Sequence, residues 1–127
     1  MKDDELISAI RKNSDLDDPD EVVRAAHATL SVLGKRLAGG EPLDLGSQLP
    51  TTFARELAVE GKGERFSVND FYDRVAREEG TTKEDARRHA RAVMAGVRSA
   101  VDPNEWQDMV SQLPDDYADL VFTGPVH

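Results

Sequence analysis

The chain contains no cysteine, which excludes disulfides, thiol catalysis and thiolate metal sites. Histidine is sparse: His27, His89 and the terminal His127. Neither a His-Glu-x-x-His nor a Glu-x-x-His pair occurs, so the pattern offers no metal site and implies no cofactor. Aromatics make up 6% of the residues, with one tryptophan, which leaves little surface for stacking bases. No apolar run approaches the ~18 residues of a membrane helix. The opening Met1–Glu5 is charged and leads into no long apolar stretch, so no signal peptide is read and a cytoplasmic protein is the expectation. An excess of positive charge is missing too. The net charge of −9 opposes non-specific binding to a phosphate backbone.

What is present is enough for a core. The 127 residues are 39% apolar and 32% charged, and one domain is expected over residues 1–127. Ser-Gln-Leu-Pro occurs twice, at Ser47–Pro50 and Ser111–Pro114, 64 residues apart. The flanks match as well. Glu41, Asp44 and Leu45 precede the first copy, and Glu105, Asp108 and Met109 stand at the same offsets before the second. Phe53-Ala54 follows one copy and Tyr117-Ala118 the other. The chain therefore reads as two versions of one helical unit, repeat 1 over residues 4–59 and repeat 2 over 66–122. Glu60–Arg65 is the connector, and a flexible tail covers 123–127.

Helical signals recur in the same order in each half. Asp4–Lys12 is amphipathic through Leu6, Ile7 and Ile10. Asp18 reads as an N-cap, Pro19 as the first helical residue and Glu21 as a capping-box carboxylate. Val22, Ala26, Leu30, Leu33 and Leu37 then form one stripe at steps of three and four, closed by Gly39-Gly40. Short helices follow over Glu41–Ser47 and after Pro50. In the second half Ser67 with Asp70, and Thr82 with Asp85, read as capping boxes. Ala86, Ala90, Val93/Met94, Val97 and Val101 repeat the long stripe. Asp102-Pro103-Asn104-Glu105 opens a further helix, and the last one carries Tyr117, Leu120, Val121 and Phe122. No segment alternates as a strand does. The fold class is all-α: about eight helices as two homologous four-helix units packed with pseudo-two-fold symmetry.

These residues resemble the family called domain of unknown function family 2267. The resemblance runs through Gly40-Glu41, Asp44-Leu45 and Gln48-Leu49-Pro50, then Phe66-Ser67, Asp70-Phe71 and Arg74-Val75. It continues through Ala90, Ala92-Val93, Glu105 and Gln112-Leu113-Pro114. It spans Leu6 to Val121. Asn104 departs from it, standing where glycine is usual and where the first half has Gly40, so the second corner is expected to differ in backbone. The resemblance implies a compact helical domain built by duplication, and carries no activity with it.

Catalytic motifs are missing. The acidic run Asp15–Glu21 fails as a calcium loop, because its sixth and twelfth positions are Asp20 and Ala26. Gly61-Lys62-Gly63 has neither the spacing nor the following hydroxyl of a phosphate loop, and no Gly-x-Ser-x-Gly exists. The Gln-Leu-Pro corners read first as structural: leucine inward, proline starting a helix, glutamine bonding a helix end. A functional reading makes Glu41, Gln48, Glu105 and Gln112 twin polar sites. Arg87, Arg91 and Arg98 share one face of a long helix, whereas Asp102–Asp119 holds six acidic residues and no basic one. These arginines either pair with acidic neighbours in the same chain or dock an acidic partner or a second copy.

Two functions follow as expectations. One is a non-enzymatic module for protein–protein interaction or self-association, supported if an apolar strip lies open around Trp106, Val110, Tyr117 or Phe122. The alternative is a small-molecule or nucleotide-binding module with a cleft between the halves. A DNA-binding regulator is a distant third, and no membrane is involved.

Overall fold

A computed structural model describes residues 1–58 and 61–122. The described residues are mostly helical. Helix α1 spans Asp3–Lys12 and α2 spans Pro19–Arg36. A two-residue strand β1, Ala38–Gly39, leads into α3, Glu41–Gly46. Helix α4, Thr51–Ala54, continues as a 3-10 turn over Arg55–Leu57, and strand β2 is Gly61–Lys62. Then come α5, Val68–Glu79, α6, Lys83–Ala100, and α7, Pro103–Val110. A 3-10 turn, Asp115–Tyr117, precedes α8, Ala118–Val121. The expected flexible tail and Glu60 of the connector lie outside the described residues.

Capping chemistry sets the helix starts. The Asp18 carboxylate accepts from the Asp20 amide, Ser67 Oγ from the Asp70 amide, and Thr82 Oγ1 from the Asp85 amide. Asp102 caps α7 by accepting from the Asn104 amide at 2.8 Å. The capping-box reading of Glu21 does not hold, because its carboxylate turns inward to His89, 3.3 Å away. Both stripes are buried as expected, from Val22 to Leu37 and from Ala86 to Val101.

The small sheet departs from the sequence reading. β1 pairs antiparallel with β2, Ala38 opposite Lys62 and Gly39 opposite Gly61. The Gly63 amide adds a bond to the Leu37 carbonyl at 3.1 Å. A two-residue ladder has no alternation to detect. A Cβ on Gly61 would stand 2.9 Å from the Ala38 carbonyl carbon, so this pairing needs glycine. The connector is thus sewn to the end of α2.

Helices α2 and α6 are each 18 residues long, and their bounds differ by 64 at both ends. The corners that follow also match. Ser47 Oγ donates to the Asp44 carbonyl at 2.6 Å, and Ser111 Oγ to that of Asp108 at 2.7 Å. The Gln48 amide bonds the Leu45 carbonyl, and the Gln112 amide that of Met109, both at 3.1 Å. The entries differ, as expected from Asn104. Gly39 has φ 62° and Gly40 caps α3, whereas Pro103 and Asn104 are already helical. Proline cannot adopt a positive φ, so the second corner starts its helix two residues sooner.

Packing crosses the midpoint. Helix α1 lies mainly on α6, and α5 on both α2 and α6. The α1–α6 crossing is close: a Cβ on Gly96 would come within 2.8 Å of the Ile10 Cα. Phe71, Phe53, Tyr117 and Leu6 are among the fully buried side chains of the shared interior.

Candidate functional site

Glu41, Gln48, Glu105 and Gln112 meet at one junction rather than forming two separate sites. Gln48 ends the α3 corner, and its Oε1 accepts from the Asp102 amide at 2.7 Å, at the start of α7. Gln112 ends the α7 corner, and its Oε1 accepts from the Ala38 amide at 2.8 Å. Gln112 Nε2 also donates to the Ala38 carbonyl at 3.4 Å. Residues 38 and 102 are themselves 64 apart, so each half gives its glutamine to the same place in the other.

Between these bridges α3 faces α7. Glu41 is 8% exposed and hydrogen-bonded to the Glu105 side chain. Burial pushes its carboxyl up to about 8, helped by Glu105, Asp44 and Asp108. Beside it Trp106 is buried, with the Arg98 guanidinium 5.9 Å above its ring.

The three arginines expected on one face serve different partners. Arg87 grips Asp119 with two bonds, Nε at 2.9 Å and Nη2 at 2.7 Å. Tyr72 adds its hydroxyl to Asp119 at 2.7 Å. The Arg87 bond, with that of Tyr72, holds the Asp119 carboxyl down at about 2. Desolvation and the Asp119 bond raise the Tyr72 phenol. Arg98 lies over Trp106 instead. Arg87 and Arg91 remain together on the wall of a groove of about 730 Å³ between the α1–α2 loop and α6. Lys12, Asn13, Ser14 and Arg88 complete its basic side, and Asp15, Glu84 and Asp85 its acidic side.

A second groove, of about 890 Å³, lies at the Gln112 corner between the halves. Arg36, Arg65, Phe66, Ser67 and Asp116 line it. Arg36 is fixed there by its Nε bond to the Phe66 carbonyl at 3.3 Å and by the Tyr117 ring at 5.3 Å. Burial raises the Tyr117 phenol to about 12.

The apolar strip is smaller than expected. Trp106 and Tyr117 are buried, Val110 is half-buried, and Phe122 is 51% exposed. Their rings are drawn inward because the short helices carry them against the core, which includes Phe71, edge-on to Tyr117 at 5.9 Å.

Sequence reasoning missed a buried polar group. His89 on α6 is 3% exposed. Its Nδ1 is bound by Glu79, at the end of α5, and its Nε2 faces Glu21 of α2 at 3.3 Å. Arg88 Nη2 also lies 3.4 Å from Nε2, so both ring nitrogens have partners within the chain. His27 packs its ring on Phe53 at 4.8 Å. Among the described residues no group of three or more acidic or histidine side chains is placed to hold a metal ion. No helix of the described residues is long and apolar enough to cross a membrane.

No curated protein matches the chain. A family model does, over residues 3–120, and on that match the chain belongs to the family described as uncharacterized conserved protein (DUF2267).

Proposed function

We propose that the protein is a non-enzymatic, cytoplasmic interaction module that docks an acidic segment of a partner protein in the groove between the α1–α2 loop and α6. The observation that carries this reading is local: Lys12, Arg87, Arg88 and Arg91 all line one groove of a protein whose net charge is −9. These arginines already bind carboxylates of the chain, since Asp119 takes Nε and Nη2 of Arg87, and Arg88 meets Asp85 at 3.4 Å. Side chains from an acidic peptide would extend the same chemistry.

Self-association through opposite charges is less well supported. The acidic segment from Asp102 is largely engaged within the chain. Asp102 caps α7, Glu105 pairs with Glu41, Asp116 accepts from the Val68 amide, and Asp119 holds Arg87. The second reading, a small anionic ligand, rests on Arg36 and Arg65 in the groove at the Gln112 corner. For Gln48 and Gln112 the structural role accounts for the oxygens they use.

The same proposal treats the halves as two versions of one unit about a pseudo-two-fold axis near α3 and α7. Equivalent helix bounds and reciprocal glutamine bridges support it. The test is an amide NMR titration with a short polyglutamate peptide at about 0.15 M salt. Shifts clustered at residues 12–15 and 84–92, abolished by Arg88→Glu/Arg91→Glu, are expected. Shifts confined to residues 36, 65 and 112 favour the second reading, and no shift at millimolar peptide contradicts both.

A further inference from the structure

Glu41 and Glu105 occupy equivalent positions, 64 residues apart, on helices that face each other across the joint between the halves. Glu41 is almost wholly buried, and its Oε2 has no donor from any other group. Its side-chain partner is Glu105, and an ionised carboxylate can only accept. Two carboxyl groups in hydrogen-bond contact, Glu41 buried and Glu105 half-buried, require a hydrogen between them. The charges on the surrounding elements do not replace it. Asp44 on α3 and Asp108 on α7 are negative and act against ionisation of Glu41. Of the turn packed under α3, Arg55 is exposed and Glu56 points to His27, 4.0 Å from its Nδ1. Neither α4 nor β1 carries a titratable side chain. On α6, Arg98 is placed over the Trp106 ring.

We propose that the proton shared by Glu41 and Glu105 is a latch: it ties α3 to α7, and its release loosens the joint that the Gln48 and Gln112 bridges span. The shared proton turns an electrostatic clash into a charge-assisted hydrogen bond. Releasing it leaves two like charges in contact, one of them buried, beside two more carboxylates. The joint then relieves the clash by opening towards water, and the bridges to Asp102 and Ala38, each close in sequence to one of the glutamates, span it.

The direction with pH follows from burial. An unfolded Glu41 releases its proton near 4.5, whereas the folded side chain keeps it until about 8. The folded state is therefore favoured most on the acid side of 4.5. That advantage declines as pH rises and is fully lost above about 8.

The test follows the Ala38 and Asp102 amide resonances, with the melting temperature, from about pH 6 to about pH 9. Both amides are expected to shift together with one midpoint on the alkaline side of neutrality, as the melting temperature falls. Glu41→Gln keeps a neutral donor to Glu105, so it should remove that titration and hold the amides at their low-pH positions. Glu105→Gln keeps the Glu41 carboxyl but offers it an amide donor, so the midpoint should move to lower pH, which covers the case in which the first variant does not fold. The latch is overturned if the wild-type amides do not titrate, or if a folded variant titrates as the wild type does. It is also overturned if calcium or manganese at neutral pH raises the melting temperature and a chelator reverses the rise, because a cation would then be the bridge.

Discussion

His89 shows how far one side chain can depend on distant neighbours. It lies on the α6 stripe, where its neighbours Ala86, Ala90 and Val93 are apolar and buried. Its partners come from the end of α5 and the start of α2, so no local spacing announces the group. Glu79 has a side chain only 4% exposed and Glu21 35%. His89→Leu should leave the buried Glu79 carboxylate without its hydrogen-bond partner and cost about 1–3 kcal/mol in urea unfolding. Replacing Glu79 by leucine as well should recover much of that loss. Asp119 gives an acid-side prediction. Its carboxyl is held down by Arg87 and then by Tyr72, so its stabilising effect is present above the ordinary 3.8. The effect is lost as pH falls through about 2. Asp119→Asn should flatten the acid limb of the stability curve over that window, read by urea midpoints.

At the scale of elements, the long stripes and most caps were legible because burial and capping follow local periodicity. Val22, Leu30, Val93 and Val97 are buried where the spacing puts them. The β1–β2 ladder was not legible, since it is made by chain return rather than by pattern. Nor did the spacing of Arg87, Arg91 and Arg98 reveal that Arg98 sits over Trp106 of α7 while Arg87 reaches Asp119 of α8. Glu41 and Glu105 were marked by their repeat positions, but their contact depends on how α3 meets α7. Two substitutions probe this level. Leu49, 6% exposed, anchors the first corner, and Leu49→Ala should cost about 2–5 kcal/mol in denaturant unfolding. Leu113, its counterpart, is only partly buried, so Leu113→Ala should cost less. Gly96→Ala should force α1 off α6 at Ile10 and cost about 1–3 kcal/mol.

For the whole molecule, the central claim is that neither half completes its own core. Helix α1 uses α6 as its main surface, α5 covers α2, and the two glutamine bridges cross the joint in both directions. The repeated Gln-Leu-Pro corner marked two stretches of like sequence, but it did not say how they pack together. That arrangement arises from contacts between helices far apart in the chain. The most direct measurement is thermal unfolding, followed by circular dichroism, of a fragment of residues 1–62 beside the intact chain. We expect one cooperative transition for the intact protein and none for the fragment, which loses the α6 surface and the Asp102 partner of Gln48. A folded fragment that melts cooperatively near the intact protein's temperature would contradict the account.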